Sequence, residues 1–254
     1  MGQIIAVTNQ KGGVAKTTTV INLADALVRA GKRVLVVDLD PQGNATSGLG
    51  INRRELTSSV YQLLINGDKA EDIILPTKFG ELYVLPADID LAGAELELAP
   101  LEARERRLLL GLQYVAPAFD YLLIDCPPSL GLLTLNALTA SETIIIPVQA
   151  EYYALEGLQQ LFATFMKVRQ SMNPKLAILG VLLTMYDARV NLAAEVVDQV
   201  KQHFGDLVFG VVIPRNVRLS EAPSHGMPIS YYDPKSKGAA TYRLLAEQVI
   251  ERTE

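Results

Sequence analysis

Near the N-terminus, the run Lys11-Gly12-Gly13-Val14-Ala15-Lys16-Thr17-Thr18 combines backbone freedom, positive charge and a hydroxyl in the order that phosphate binding needs. Two adjacent glycines let the backbone turn its N–H groups inward as an anion cradle. Lys16 follows to meet the β- and γ-phosphates, and Thr17 follows to ligate Mg²⁺. The loop sits between an apolar run at 4–7 and a helical pattern starting near Lys16, so a helix N-terminus adds its own partial positive charge. The match to G-x-x-x-x-G-K-[ST] is incomplete, because Gln10 and Ala15 stand at its two glycine positions. Ala15 keeps the N–H that the cradle uses, but its Cβ crowds the turn if the backbone there needs a positive φ. Nucleotide binding is expected to survive, with affinity and hydrolysis rate the properties on which Ala15 bears.

Two carboxylate-bearing strand ends complete the candidate chemistry. In an open parallel sheet, ligands bind beyond the carboxyl ends of the strands. Val34-Leu35-Val36-Val37 delivers Asp38 and Asp40 just before Pro41 and Gly43 stop the strand. Tyr121-Leu122-Leu123-Ile124 delivers Asp125 ahead of Cys126-Pro127-Pro128, which is the form a Walker B strand requires. Asp125 beside the phosphate loop can hold Mg²⁺ opposite Thr17. Cys126 reads as a small buried residue with no partner cysteine.

Composition bounds what else the chain can be. It has 254 residues, 49% of them apolar, and a net charge of −5, so a substantial core is expected in one domain spanning 1–254. Neither half is basic, and nucleic-acid binding would need a local patch. One cysteine and two histidines, His203 and His225, exclude a disulfide framework and a Cys/His zinc site within one chain, so any metal should be oxygen-bound. No apolar run reaches about 18 residues and no leader pattern is present, which points to a cytoplasmic protein.

The elements that must position these groups alternate along the chain. Apolar runs at 4–8, 34–39, 82–86, 121–125, 143–148, 177–184 and 208–213 read as strands covered on both faces. Helical periods cover 17–30, 104–115, 153–172, 191–204 and 239–252, the first closed by Gly31. The alternation argues for an α/β fold with a doubly wound, mostly parallel sheet flanked by helices. The polar and irregular segment 52–78 is expected to be a mobile insertion. Arg104, Arg106 and Arg107 lie among acidic residues and read as a salt-bridged helix face.

With its second lysine, Lys11, the loop resembles K-G-G-x-G-K-[ST], the deviant Walker A motif of the ParA/MinD ATPases, at every position except Ala15. D-x-D-P-Q-G-N at 38–44 is similar to that family's second signature, and Ile213-Pro214-Arg215-Asn216 to its base-recognition segment. The resemblance covers nearly the whole chain and lies with the ParA/Soj chromosome-partitioning branch. It implies a P-loop NTPase that binds ATP, ADP and Mg²⁺, and an Mg²⁺-dependent ATPase with weak basal activity. By the same resemblance, Lys11 reaches the nucleotide of a second subunit and Asp40 orients the attacking water. Asp38 supports the loop and metal shell, Pro214 and Asn216 meet adenine, and Arg189 and Arg218 bind double-stranded DNA without sequence preference across an ATP-dependent homodimer. The implied activator is a ParB-type protein bound to centromere-like sites, and the implied location is the nucleoid. The N-terminal strand starts almost at Met1, so the helix-turn-helix extension of some plasmid ParA proteins is expected to be absent. The rivals are a MinD-like membrane-associated regulator and a nucleoid-based positioning ATPase for another cargo. The acidic end at 244–254 argues against the basic amphipathic tail that the MinD-like reading needs.

Overall fold

The computed structural model describes residues 2–151, 154–187 and 189–254, the side chains of 154–159 and 191–193 excepted. The expected helix start at Tyr153 lies outside the described residues. Seven strands form one sheet: β1 (Gln3–Val7), β2 (Val34–Asp38), β3 (Leu75–Pro76), β4 (Leu82–Leu85), β5 (Tyr121–Asp125), β6 (Thr143–Gln149) and β7 (Ala177–Thr184). Their order is β3-β4-β2-β5-β1-β6-β7, parallel throughout except for the antiparallel edge strand β3. Every residue of β2 and β5 is buried, as continuous apolar runs covered on both faces require.

Helices cover both faces. α1 (Lys16–Arg29), α2 (Asn44–Gly48), α3 (Val60–Ile65), α4 (Ala70–Ile73), α5 (Ala94–Leu98), α6 (Arg107–Leu112) and α7 (Leu132–Ala140) precede β6. α8 (Ala154–Ser171), α9 (Asn191–Phe204), α10 (Val217–Glu221), α11 (Ile229–Tyr232) and α12 (Lys237–Thr253) follow it. The period-two alternation of the strands splits the core. Ile4, Leu35, Val37, Leu122 and Ile124 pack with α3, α5, α6 and α7, while Ile5, Val7, Val36 and Leu123 pack with α1 and α12. α1 stops where Gly31 takes φ +83°, a left-handed value that favours glycine. Because β2 and β5 pair in register, Asp38 lies directly beside Asp125 at the carboxyl edge of the sheet.

Three sequence expectations are corrected. The stretch 208–213 forms no continuous strand: Val208 makes an isolated parallel bridge with Val181 of β7, and the next bridge, Tyr186–Pro214, lies beyond both segments. The Phe209 amide donates to the Val181 carbonyl at 3.0 Å and the Ile213 amide to the Leu183 carbonyl at 2.9 Å, so four residues of this stretch advance against two of β7 and the ladder is interrupted. The segment 52–78 is no loose insertion. Ser59 and Gln62 form a capping box for α3, and Val60, Leu63, Leu64 and Ile73 are buried in the core. The arginines at 104–107 only partly form ion pairs. Arg104 meets Glu105 at 2.8 Å, but Arg107 donates to the carbonyls of Leu64 and Ile65 at the end of α3.

Candidate functional site

The loop between β1 and α1 is anchored from beneath and open above. Asn9, buried, donates through Nδ2 to the Pro147 carbonyl at 2.7 Å and accepts the Lys11 amide on Oδ1 at 3.0 Å. Val14 is buried, and its carbonyl accepts the Thr184 hydroxyl at 3.1 Å. Gly12 and Gly13 are exposed, and a Cβ at either would meet no atom within 4 Å, so the cradle is unobstructed on that side. Ala15 holds φ 67° and ψ 32°, the left-handed region, and its carbonyl accepts the first bond of α1 from the Thr19 amide at 2.9 Å. The condition under which the Ala15 Cβ crowds the turn, a positive φ, therefore holds, with a Cβ where glycine would be unstrained.

The charged groups converge beneath this cradle. Lys16 is 7% exposed, and its Nζ donates to the Lys11 carbonyl at 3.1 Å. Burial pulls its pKa below the usual lysine value, against the opposing pull of the Asp125 and Asp40 carboxylates. Thr17 donates to Asp125 Oδ2 at 2.7 Å. The other oxygen, Asp125 Oδ1, is fully buried and has no hydrogen-bond partner. Burial first, and the neighbouring Asp38 second, push the Asp125 carboxyl well above the usual range. Asp38 is also buried, and burial pushes its pKa up to about 6. Its Oδ2 accepts the Thr46 amide at 2.8 Å and the Thr46 hydroxyl at 2.7 Å, and its Oδ1 accepts the Asp40 amide at 3.2 Å. Asp40, 9% exposed, accepts the Gln42 amide at 3.0 Å.

These residues fit Mg²⁺ and a polyphosphate. A buried carboxylate oxygen without a donor, beside a hydroxyl and a buried ammonium under an open glycine cradle, is costly unless a cation and an anion complete it. Asp38, in contrast, spends both oxygens on Thr46 and Asp40, so it holds the loop's second wall and leaves Asp125 as the carboxylate with an open oxygen. Among the described residues no cluster of three His, Cys, Asp or Glu side chains could hold a metal, which suits a cation held mainly by a hydroxyl, a carboxylate and phosphate. Burial pushes the Cys126 thiol upward, so it stays protonated and inert.

Pro214 and Asn216 line a cavity of about 330 Å³ with Ala15, Thr18, Met185 and Tyr242, adjoining the phosphate loop as a base pocket must. The Asn216 Oδ1 caps α10 by accepting the Arg218 amide at 2.9 Å, so the side chain offers its amide donors to a ligand and not its acceptor. His225 stacks on Tyr232 with ring centroids 4.9 Å apart, a packing role. Lys16 reaches only the backbone carbonyl of Lys11, whose half-exposed side chain meets Glu151 at 3.3 Å. Arg189 and Arg218 lie at the surface, each already paired. Arg189 makes a two-pronged contact with Asp187 at 2.6 and 2.9 Å, and Arg218 meets Glu221 at 2.8 Å. The Arg189 guanidinium holds the Asp187 carboxyl below the usual range. Sequence reasoning missed Asn9, Thr46 and Thr184. Only Asn9, adjoining the glycine loop, carried a local signal.

The sequence profile of a family described as AAA domain matches residues 2–178. The sporulation initiation inhibitor protein Soj of Bacillus subtilis (strain 168) is 59% identical over 249 residues, covering 98% of both chains. The chromosome partitioning protein ParA of Myxococcus xanthus (strain DK1622) is 52% identical over 252 residues, covering 99% of this chain and 89% of that one. The chain belongs to the ParA/Soj family of chromosome-partitioning ATPases. Among solved structures, the cell division ATPase MinD of Pyrococcus furiosus superposes with a TM-score of 0.83 at 30% identity, covering 99% of each chain. A cobyrinic acid a,c-diamide synthase from Mycobacterium smegmatis, with ADP and magnesium bound, superposes at 0.87 with 41% identity, covering 99% of this chain and 95% of that one. Membership of the ParA/Soj family accounts for the two-lysine loop and the paired acidic strand ends, and no described helix is long and apolar enough to cross a membrane.

Proposed function

We propose that this protein is an ATP-dependent dimerising switch, a single ATPase domain that binds DNA as an ATP dimer and releases it on hydrolysis. The carrying observation is the division of labour between the two loop lysines. Lys16 is buried beside Asp125 and serves the nucleotide of its own subunit, while Lys11 stands on the rim, held only by an exposed ion pair. An exposed pair of this kind is worth about 0–1 kcal/mol, so Lys11 can leave Glu151 for the phosphates of a second subunit at little cost.

Thr17 and Asp125 would hold Mg²⁺, which supplies charge neutralisation at the β- and γ-phosphates. Lys16 contributes a second, fixed positive charge, and the backbone N–H groups of the loop complete the anion cradle. Asp40, at the edge of this cluster, orients the attacking water through its carboxylate. Lys11 from the partner adds charge where the transferred phosphoryl becomes more negative, so hydrolysis is slow in the monomer and faster in the dimer. The partner implied by the family is a ParB-type protein that raises turnover further, with the protein residing in the cytoplasm on the nucleoid.

Arg189 and Arg218 are the candidate DNA contacts. Their carboxylate partners neutralise them in one subunit, and DNA phosphates must compete with Asp187 and Glu221. Doubling the patch by dimerisation makes that competition succeed. If each subunit neutralises two or three phosphates, log K against log[salt] steepens on dimerisation to roughly −4 to −5. A titration of DNA with protein in ADP, ATP or a nonhydrolysable analogue, alongside ATP-dependent liposome sedimentation, tests the proposal. DNA binding confined to the ATP-type states supports it; lipid binding without DNA binding overturns it.

A further inference from the structure

The turn that carries Asp40 is gripped from outside by a residue of the segment that the sequence marked as irregular. Asp40 to Gly43 form a tight turn, closed by the Gly43 amide donating to the Asp40 carbonyl at 2.8 Å. Arg53 lies across it: Nη2 donates to the Pro41 carbonyl at 3.0 Å, and Nη1 donates to the Gln42 carbonyl. Gln42 in turn donates its amide to Asp40 Oδ1 at 3.0 Å, so one peptide separates the guanidinium from the carboxylate contact. Gly43 makes the approach possible. It sits at φ +60°, and a Cβ there would lie 2.3 Å from Arg53 Nε and 2.4 Å from Cζ.

The arrangement is a poor one for stability alone. Among the described residues Arg53 forms no ion pair, and its Nε is buried with no acceptor. A guanidinium paired only with two carbonyls, with a third donor unmet, offsets much of its own gain. What it does fix is direction, because a planar fork spans two adjacent carbonyls where a lysine ammonium makes a point contact.

We propose that Arg53 is a positioning residue for hydrolysis, which holds the Pro41–Gly43 turn so that the Asp40 carboxylate meets the attacking water. The inference rests on the reading of Asp40 as the water-orienting group. Misplacing a reacting group by about 1 Å can cost on the order of a hundredfold in rate. Arg53→Ala is therefore expected to lower kcat roughly ten- to a hundredfold, with KM and the affinity for a fluorescent ATP analogue changed less than about threefold. Arg53→Lys should recover part of the rate. Gly43→Ala reaches the same contact from the other side and should show the same split between kcat and KM. The double variant Gly43→Ala, Arg53→Ala should be no slower than the slower single one.

Asp40→Asn run in the same assays separates the two layers. If Asp40→Asn turns over normally, the water-orienting reading fails and the proposal falls with it. If Asp40→Asn is inactive while Arg53→Ala keeps its kcat, only the assignment to Arg53 is overturned. Loss of nucleotide affinity in Arg53→Ala, or losses that multiply in the double variant, overturns it too, because the residue would then support binding or act apart from Gly43.

Discussion

Replacing Ala15 with glycine should make the protein more stable without making it a better nucleotide binder. Ala15 holds φ 67° and ψ 32° at the start of α1. For a residue with a Cβ this left-handed conformation costs roughly 1–2 kcal/mol, which glycine does not incur. Glycine also gives the unfolded chain more freedom, which takes back about 0.4–1 kcal/mol. At the centres of those ranges the net gain is about 0.8 kcal/mol, and for a domain of this size each kcal/mol moves Tm by about 2–4 °C. A rise of roughly 1–4 °C is expected by differential scanning calorimetry in the absence of nucleotide. The strain resides in the folded loop whatever it binds, and alanine and glycine present the same N–H, so ADP and ATP affinities should change less than about threefold. Ala15→Val, a β-branched residue in the same conformation, should move Tm down. An unchanged or lower Tm for Ala15→Gly would show that the Cβ contributes packing which outweighs its strain, and the backbone argument would be refuted.

Three further outcomes follow from the site. Lys16→Ala removes the buried ammonium from beside Asp125 and should abolish ATP binding by isothermal calorimetry; an unchanged affinity would remove the loop from the nucleotide site. Asp125→Asn places an amide where one carboxylate oxygen has no partner and removes the like charge facing Asp38. The Asp125 carboxyl titrates above its ordinary range, so its charge weakens the fold as pH rises through that raised range. The variant should therefore be more stable than the parent at pH 8, by on the order of 1–3 kcal/mol. The difference should close toward pH 4, and Mg²⁺-dependent hydrolysis should be lost. A stability gap equally wide at pH 4 would assign the effect to something other than charge. Arg189→Glu with Arg218→Glu should eliminate DNA binding in ATP, while light scattering still detects the nucleotide-dependent dimer; retained DNA affinity would send the search to another patch.

Much of the site was readable because its signals are local. Consecutive glycines, a lysine and a hydroxyl within one loop announce a phosphate cradle whatever surrounds them. A four-residue apolar run ending in Asp125 and stopped by two prolines reads, beside a phosphate loop, as a buried strand delivering a carboxylate to the sheet edge. What escaped the sequence depended on partners far along the chain. Thr46 matters because it grips Asp38 and accepts the Ala87 amide at 3.0 Å, and nothing near position 46 advertises either contact. The stretch 208–213 has strand-like residues throughout, yet it advances four residues between its bonds to Val181 and Leu183, which are two apart, and its ladder breaks. The polar segment 52–78 read as irregular because its apolar residues are interrupted by polar runs, but Val60, Leu63, Leu64, Ala70 and Ile73 among them are buried in the core.

By itself the sequence determined the α/β class, the phosphate loop and the identity of the acidic strand ends, since periodicity and short-range spacing encode all three. Only the tertiary structure decided that Asp38 and Asp125 lie side by side, because that follows from the register of two strands more than 80 residues apart. Burial at that edge raises both carboxyls, the neighbouring Asp38 adds to the rise at Asp125, and one oxygen of Asp125 is left without a partner. The fold likewise decided that Ala15 bears a strained conformation, that Arg53 reaches back over Gly43, and that both surface arginines are already paired. Each of these is a matter of which distant groups the packed chain brings within a few ångströms.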